Sequence, residues 1–304
     1  MRILCLGDSI MQYNDCSTYP CTGWVQELPR FFVRGTEFLN FARNGRSTKS
    51  FLSEGRFKNV LEFCRPGDFA LIQFGHNDEK SQDPTRFTSP EEGGEFRRNL
   101  EFFAVNLLAK KCFPILLSPM ARRKFVDSFG SHDEEAKKII SEIRRAQEAG
   151  VSSEKDSEKL EHLREKLHEL WRRAGEMRSV ESTHGDYPKA VIETAKVVGV
   201  PAIDMTNLTE VFLEEIGEEK SRHLFMNFGP LEYVNFPEGK DDNSHLRPDG
   251  AFEFSRIAAM EIARLGETWA DYAPLSAAIV GKAEATQDGA EIDDEYVVFG
   301  KTSN

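Results

Sequence analysis

Short apolar runs alternate along this chain with longer stretches of helical periodicity, and this alternation is what most constrains its fold. The apolar runs are bounded by turn residues and cover 2–6, 37–41, 69–74, 114–117 and 200–203. The helical stretches cover 24–32, 57–63, 95–109, 187–198 and, behind a predicted N-cap at Asp249, 251–265. Strands that alternate with helices are typical of a doubly wound parallel sheet. The pattern therefore predicts an α/β fold with its ligand site beyond the carboxyl ends of the strands.

Length and charge exclude several classes of protein. The 304 residues include 39 Lys and Arg against 51 Asp and Glu, a net charge of −12. An acidic chain is a poor nucleic-acid binder, because such binding depends on basic contacts with phosphates. The apolar runs are too short to span a membrane, so neither nucleic acid nor membrane is an expected partner. With no visible signal peptide, we expect a cytoplasmic protein, or an extracellular one if a leader was removed.

The five cysteines follow no metal-ligand spacing: Cys5, Cys16, Cys21, Cys64 and Cys112. An odd number without a Cys-x-x-Cys pair argues against a disulfide framework or a zinc ribbon. Cys16 and Cys21 could pair in an oxidising compartment, but we expect reduced thiols.

Residues 133–181 depart from the pattern, because 24 of these 49 residues are charged, 11 basic and 13 acidic. One apolar set recurs there at the three- and four-residue spacings of a heptad seam: Leu160, Leu163, Leu167, Leu170, Ala174 and Met177. A shorter apolar face at Ile139, Ile143 and Ala146 precedes a turn at 149–153. We predict an inserted antiparallel helical hairpin, which could be a lid, a homodimerisation arm or a solvated decoration.

The chain is expected to divide into one domain over 1–275, interrupted by the hairpin, and a C-terminal tail over 276–304. Residues 284–295 are acidic and poor in apolar groups, which is typical of a flexible peptide. The short run 296–299 is a candidate edge strand.

Three polar blocks follow the first three predicted strands. The first, Gly7-Asp8-Ser9, would present a serine hydroxyl at the sheet edge, although Asp-Ser also caps helices. In the second, at 44–47, Gly45 can bring a backbone N–H close to a ligand. In the third, at 75–78, the Asn77 amide offers further donors. Each of the latter two blocks, taken alone, is explained better by a simple turn than by a role in binding.

A fourth block, 242–245, precedes the last helix and contains Asp242 and His245. A carboxylate three residues before a histidine can orient the imidazole as a general base for a serine. Converging N–H donors would then stabilise the oxyanion formed on the serine's target. The G-x-S-x-G elbow of ordinary α/β-hydrolases is absent from the sequence.

In this order the blocks resemble those of the SGNH (GDSL-like) hydrolases, with Ser9, Gly45, Asn77 and His245 at the four signature positions. Within that superfamily the chain is similar to the rhamnogalacturonan acetylesterases. The resemblance covers about 1–130 and 182–265, but not the hairpin or the tail. The similar stretches are GDSIMQ at 7–12, GW at 23–24, NFARNGRSTKSFLSEGRF at 40–57, FGHNDE at 74–79, THGDYPKAV at 183–191 and DNSHLRPDGA at 242–251.

The resemblance implies a flavodoxin-like sheet of five parallel strands in the order 2-1-3-4-5, with helices on both faces. It implies a catalytic triad of Ser9, Asp242 and His245. It also implies an oxyanion hole formed by the backbone N–H groups of Ser9 and Gly45 with the Asn77 side chain. The expected activity is removal of acetyl groups from rhamnogalacturonan oligosaccharides through an acetyl-enzyme, with no metal or cofactor.

Substrate contacts are less defined. Galacturonate carboxylates need local cations, and arginine suits their bidentate recognition, although arginines also pair with structural acids. The candidates are Asp8, Arg46, His76, Asp78, Arg122, Arg123 and His184. Two alternatives stay open. One is an esterase for acetylxylan, another acetyl sugar or a small acyl ester, and the other is a non-catalytic assembly module that works through the hairpin.

Overall fold

Five parallel strands form the central sheet of the computed structural model, which describes residues 1–127, 178–280 and scattered positions between 138 and 166. The strands are β1 (Arg2–Gly7), β2 (Glu37–Asn40), β3 (Phe69–Gln73), β4 (Phe113–Leu117) and β7 (Ala202–Ile203). They lie in the order β2-β1-β3-β4-β7, which is 2-1-3-4-5 when the strands of this sheet are counted along the chain. The predicted α/β fold and its strand order are confirmed.

Helices cover both faces of the sheet: α1 (Thr48–Ser53), α2 (Arg56–Phe63), α3 (Glu95–Ala109), α4 (Tyr187–Val198), α5 (Met205–Ile216), α6 (Glu218–Ser221), α7 (Pro248–Thr268) and α8 (Ala273–Ser276). Two antiparallel pairs lie outside the sheet, β5 (Phe125–Asp127) with β6 (Arg178–Val180), and β8 (Phe225–Phe228) with β9 (Lys240–Leu246). None of the described helices combines the length and apolar character needed to cross a bilayer.

The apolar strands are buried on both faces because successive side chains of a strand point to opposite sides of the sheet. In β1, Ile3 and Cys5 belong to a core that α5 and α7 cover. Leu4 and Leu6 belong to the opposite core, beneath α1, α2, α3 and α4. Helices on both sides explain why these strands are continuously apolar rather than alternating.

The single helix predicted over 24–32 and the N-cap predicted at Asp249 were wrong, and a proline lies at each place. Residues 24–32 form two short 3-10 turns, Trp24–Gln26 and Leu28–Phe31, with Pro29, which has no N–H to donate, near the start of the second. The last helix begins at Pro248 with Arg247 as its N-cap, since proline is favoured at the first helical position. Asp249 lies inside the first turn, where its charge favours the positive end of the helix dipole.

Most of the predicted hairpin lies outside the described residues. Among its described positions, Ile139 and Leu163 are buried in one small cluster, with Ile143 packed against it. Its predicted end at 181 was wrong, because Arg178–Val180 is strand β6 and pairs with β5.

The predicted start of the tail at 276 was also wrong. Ala278 is buried, its carbonyl accepts the N–H of Val33 at 2.8 Å, and the N–H of Val280 donates to the Phe31 carbonyl at 2.9 Å. The folded domain therefore continues at least to Val280. Residues 281–304, including the candidate strand 296–299, lie outside the described residues.

Cys64 and Cys112 are joined by a disulfide bond, so the expectation of reduced thiols was wrong for this pair. The end of α2 and the start of β4 meet in space although 48 residues separate the two cysteines, and spacing alone does not reveal such a contact. Cys5, Cys16 and Cys21 are free. Within the described part of the chain, the one group with metal-ligand geometry is Cys64, Asp68 and Cys112. The disulfide leaves no thiolate there to hold an ion.

Candidate active site

Ser9 lies in the turn directly beyond β1. The Asp8 carboxylate accepts the N–H of Ile10 at 3.0 Å, and the Asp8 carbonyl accepts those of Met11 and Gln12 at 3.3 and 3.1 Å. These bonds hold the turn while leaving the Ser9 N–H with no acceptor among residues 1–127 and 178–280. The partly exposed serine can therefore offer both its hydroxyl and its N–H to a ligand.

Strand β9 brings a histidine and a carboxylate to that serine. Asp242 Oδ1 accepts the backbone N–H groups of Ser244 and His245 at 2.9 and 3.0 Å. Asp242 Oδ2 lies 2.8 Å from His245 Nδ1, and His245 Nε2 lies 2.9 Å from Ser9 Oγ. The His245 side chain is 33% exposed. A continuous line of hydrogen bonds thus joins carboxylate, imidazole and hydroxyl, the geometry that lets a serine lose its proton to a base.

The surroundings of Asp242 keep its carboxylate ionised. Partial burial acts to raise the pKa of Asp242, but hydrogen bonding and attraction to His245, together with the two backbone N–H bonds, outweigh burial and lower this pKa. A charged Asp242 orients the His245 ring by accepting from Nδ1 and stabilises the imidazolium form.

The second and third blocks each contribute a further donor, Gly45 and Asn77. Gly45 has φ of 79°, in the left-handed region that favours glycine, and its N–H has no acceptor in the described part of the chain. Asn77 is buried, and its Nδ2 donates to the Arg46 carbonyl at 3.1 Å. Lys80 Nζ donates to Asn77 Oδ1 at 2.8 Å. Because a lysine only donates and a carbonyl only accepts, these contacts settle which way the amide points.

Asp78 ties the second block to the third. Its Oδ1 accepts the Thr48 N–H at 2.9 Å, the Thr48 hydroxyl at 2.6 Å and the Thr88 hydroxyl at 2.7 Å. Burial raises the pKa of Asp78 to about 7, although these hydrogen bonds act in the opposite direction. Asp78 is fully buried, so the prediction that it contacts substrate was wrong.

Asp8, His76 and His184, also predicted to contact substrate, are buried as well. His76 Nδ1 lies 3.6 Å from Asp8 Oδ2, beyond hydrogen-bond reach. Burial lowers the pKa of His76 to about 4, against the opposing effect of Asp8. His184 lies edge-on to His76, with Nδ1 2.9 Å from Glu79 Oε2 and Nε2 2.8 Å from the Met120 carbonyl. His184 therefore has protein partners at both ring nitrogens, whereas Asp8 Oδ2 and His76 Nδ1 are buried without a hydrogen-bond partner in the described part of the chain. Burial keeps all three side chains from lining the cavity beside Ser9.

The three arginines predicted to bind substrate all have protein partners. Arg46 pairs with Glu54 at 2.9 Å, and Arg122 pairs with Glu79. Arg123 donates to the Ser221 hydroxyl at 3.0 Å and to Asn243 Oδ1 at 3.2 Å, which holds the strand that carries the fourth block. Each of the three side chains thus has a protein partner, and a contact of these arginines with substrate stays a prediction.

A cavity of about 190 Å³ opens beside Ser9, and none of the seven predicted substrate contacts lines it. Its other lining residues are Gln12, Asn14, Thr18, Cys21, Asn44, Met226, Phe236, Lys240, Asp242 and His245. Gln12 and Asn44 belong to stretches already singled out in the sequence, and Lys240 stands two residues before the fourth block. The sequence signal that could have identified these three lining residues was therefore their position within or next to the motifs. A larger cleft of about 640 Å³, lined by residues such as Arg97 and Glu193, includes none of the four blocks.

Comparison with known proteins found no matching family model. The rhamnogalacturonan acetylesterase RhgT of Bacillus subtilis is 30% identical over 268 residues, 88% of this chain and 91% of its own length. A probable rhamnogalacturonan acetylesterase of the same organism, YesY, is 26% identical over 266 residues, 87% of this chain and 94% of its own. The crystal structure of B. subtilis YxiM matches with a TM-score of 0.60 at 20% identity, over 88% of this chain and 57% of YxiM. This last likeness shows a shared fold.

Proposed function

This chain belongs to the rhamnogalacturonan acetylesterases of the SGNH hydrolase superfamily, and we propose that it is a serine esterase that deacetylates pectic, rhamnogalacturonan-type oligosaccharides. The observation that carries the proposal is the hydrogen-bonded line from Asp242 through His245 to Ser9 at the mouth of a cavity. Two backbone N–H groups, of Ser9 and Gly45, that have no acceptor among residues 1–127 and 178–280 accompany it, together with the oriented Asn77 amide. Such a site needs neither a metal nor a cofactor to cleave an ester.

In the acylation half-reaction, His245 Nε2 takes the hydroxyl proton of Ser9 as Oγ attacks the acetyl carbonyl carbon. The carbonyl electron pair moves onto oxygen, and the N–H groups of Ser9 and Gly45 with the Asn77 amide stabilise this oxyanion. When the tetrahedral intermediate collapses, the bond between the carbonyl carbon and the sugar oxygen breaks. His245 returns its proton to that oxygen, and an acetyl group stays on Ser9.

Water reverses the sequence in the deacylation half-reaction. His245 removes a proton from water as its oxygen attacks the acetyl-enzyme, and the same three donors stabilise the second oxyanion. Collapse releases acetate, and Ser9 Oγ regains its proton from His245. Asp242 stays ionised throughout and stabilises the imidazolium in both halves.

Acetate release tests this proposal. Wild type and Ser9→Ala are compared on acetylated rhamnogalacturonan oligosaccharides and on acetylated xylooligosaccharides. We expect Ser9-dependent release from the former. Release from the xylooligosaccharides alone would keep the mechanism and discard the pectic substrate. Failure of a fluorophosphonate probe to label Ser9, under conditions that label a control esterase, would favour a non-catalytic module.

The homodimer also enters as a proposal, with the charged insert as the contact between two copies. Its support is the apolar seam that the sequence predicts in the insert. Deletion of 133–177 leaves strand β6 in place and is expected to halve the solution mass. An unchanged mass, measured by light scattering at the same concentrations, would end this idea.

The proposed location is the cytoplasm, which the sequence predicts. The Cys64–Cys112 disulfide points the other way, because such bonds persist chiefly in oxidising compartments. Fractionation of the producing cells, with alkylation and mass measurement of the protein in each fraction, decides between them. A reduced protein in the cytoplasmic fraction supports the proposal, and an oxidised protein outside it is the contrary result.

A further inference from the structure

Strand β9 contributes two neighbouring inward positions to the cavity beside Ser9. Lys240 pairs with Phe228 across the β8–β9 ladder, Asp241 with Asn227, and Asp242 with Met226. Because side chains alternate along a strand, Lys240 and Asp242 share one face, and both line the cavity. Asp241 belongs to the other face and does not line it. The strand that supplies the triad carboxylate therefore also supplies a cation.

Lys240 is the cation that lines the cavity, and it has no acidic partner in the described part of the chain. It is exposed and forms no ion pair with any residue of 1–127 or 178–280, whereas Arg46 and Arg122 are paired. Among the lining residues it is the one Lys or Arg. Its charge reaches the cavity wall: burial and Asp242 raise the pKa of the Cys21 thiol to about 11, and Lys240 acts against them.

The remaining wall is suited to a sugar. Gln12, Asn14 and Asn44 offer amides, and Thr18 offers a hydroxyl. Gln12 is held in place, because its Oε1 accepts the Asn44 N–H at 2.6 Å and its Nε2 donates to Asn14 Oδ1 at 3.1 Å. Phe236 adds one apolar aromatic surface. A site for a small alkyl ester would need neither this row of amides nor a cation.

We propose that Lys240 binds the carboxylate of a uronic acid unit next to the acetylated sugar, so that the cavity is a subsite for an anionic oligosaccharide. This inference rests on the proposed esterase function and adds the determinant of its substrate class. A lysine ammonium donates up to three hydrogen bonds, and pairing with a carboxylate strengthens them. A neutral acetylated xylan offers no such group. The subsite thereby favours a uronate-containing substrate in a protein whose net charge is −12.

The test compares two forms of one acetylated rhamnogalacturonan oligosaccharide, the free acid and the form with its uronate carboxyls methyl-esterified. Acetate release is measured for wild type, Lys240→Met and Lys240→Arg, with Ser9→Ala as the blank. For Lys240→Met we expect kcat/KM on the free acid to fall about 5- to 30-fold, mainly through a higher KM. The loss on the methyl ester should be at least fivefold smaller, and Lys240→Arg should recover most of the activity.

Lys196→Met is the matched control, because Lys196 is exposed on α4 and does not line the cavity. This variant should leave kcat/KM unchanged on both substrates. For wild type, high salt should reduce the ratio of kcat/KM on the free acid to kcat/KM on the methyl ester. Equal losses on both substrates with Lys240→Met, or no loss on the free acid, would overturn the subsite.

A second measurement separates the subsite from the proposed function. Deacetylated rhamnogalacturonan oligosaccharide is added as an inhibitor of Ser9-dependent 4-nitrophenyl acetate hydrolysis. We expect inhibition by the free acid that weakens in Lys240→Met and on methyl esterification. If this pattern holds while neither rhamnogalacturonan substrate loses acetate, the subsite stands and the pectic function fails. If inhibition is the same in Lys240→Met as in wild type, and the same for the free acid and the methyl ester, the subsite is disproved whatever the substrate.

Discussion

Two histidine–carboxylate groups lie near Ser9, and only one is arranged for proton transfer. In the outer group, His245 is 33% exposed and sits between Asp242 and the serine hydroxyl. In the inner group, His184 is fully buried, with both ring nitrogens facing protein oxygens, and His76 Nδ1 lies 3.6 Å from Asp8. The residue types are the same. What separates them is an imidazole nitrogen aimed at a reactive hydroxyl rather than at a structural acceptor.

The largest expected effect comes from replacing one histidine of each group. His245→Gln should lower kcat by about 10⁴-fold or more, because the base is lost, with little change in the free energy of unfolding. His184→Gln should do the reverse: a loss of about 1–3 kcal/mol in stability, from buried hydrogen bonds, and less than a tenfold loss in kcat. Steady-state kinetics and urea unfolding measure the two. A catalytic loss as large for His184→Gln, at unchanged stability, would break the comparison.

Next in size is the oxyanion donor. Asn77→Ala should reduce kcat by about 10²–10³-fold with a smaller change in KM, because the amide acts on charge that develops in the transition state. Single-turnover acetate release on the substrate that wild type hydrolyses provides the measurement. An unchanged kcat would remove Asn77 from this role.

Lys80 tests the same role indirectly, because its ammonium donates to Asn77 Oδ1 and orients the amide without taking part in the reaction. Lys80→Met should lower kcat by about tenfold through a less well oriented donor, and Lys80→Arg should restore part of the loss. In an Asn77→Ala background the Lys80 substitution should have almost no further effect. Additive losses in this double-mutant cycle would show that Lys80 acts elsewhere.

Removal of the disulfide should lower the stability of the fold without slowing catalysis. Cys64→Ser with Cys112→Ser should lower the free energy of unfolding by about 2–4 kcal/mol, since the bond closes a loop of 48 residues. Cys112 precedes the first residue of β4, whereas Ser9 follows the last residue of β1, so the bond and the serine lie at opposite ends of the parallel strands. The kcat should therefore hold at temperatures where the variant stays folded. Dithiothreitol should give the wild-type protein the same loss in a urea titration. A matching fall in kcat would mean that the bond supports the site.

The smallest effect is a pH dependence of stability. Asp78, with its pKa raised to about 7 in the fold, stabilises more as pH falls from about 7 towards 4, because the folded state holds the proton more tightly. His76, with its pKa lowered to about 4, makes the fold less stable as pH falls from about 6.5, because the unfolded state then binds the proton more tightly. The two trends oppose each other. Asp78→Asn should therefore make stability fall by about 1–3 kcal/mol between pH 7 and 4 relative to wild type.

Urea unfolding at about pH 7 and about pH 4 measures this difference. In the double variant Asp78→Asn with His76→Asn, the extra loss of stability at the lower pH should disappear, since both buried titrating groups are gone. If the double variant still loses this stability at the lower pH, the pH dependence of the free energy of unfolding belongs to other groups.

Local patterns predicted the scaffold well. Helices α3 and α4 have the bounds that periodicity indicated, and Ser9, Gly45 and Asn77 follow strands as expected. A strand that must bury both faces is apolar over its whole length, so its end and the polar block after it are visible in sequence. The substrate contacts could not be predicted this way. Arg122 and Glu79 are 43 positions apart, and no local pattern shows that they pair.

The sequence by itself determined the sheet, the order of its polar blocks and the identity of the proposed triad, because these depend on short-range periodicity and on which residue types can do the chemistry. Only the tertiary structure decided which histidine stays exposed, which arginines are paired, that Cys64 meets Cys112, and that Lys240 lines the cavity beside Ser9. Each of these depends on burial or on contact between distant parts of the chain. Those properties arise when the elements pack together, so the same residue types near one serine come to have different environments.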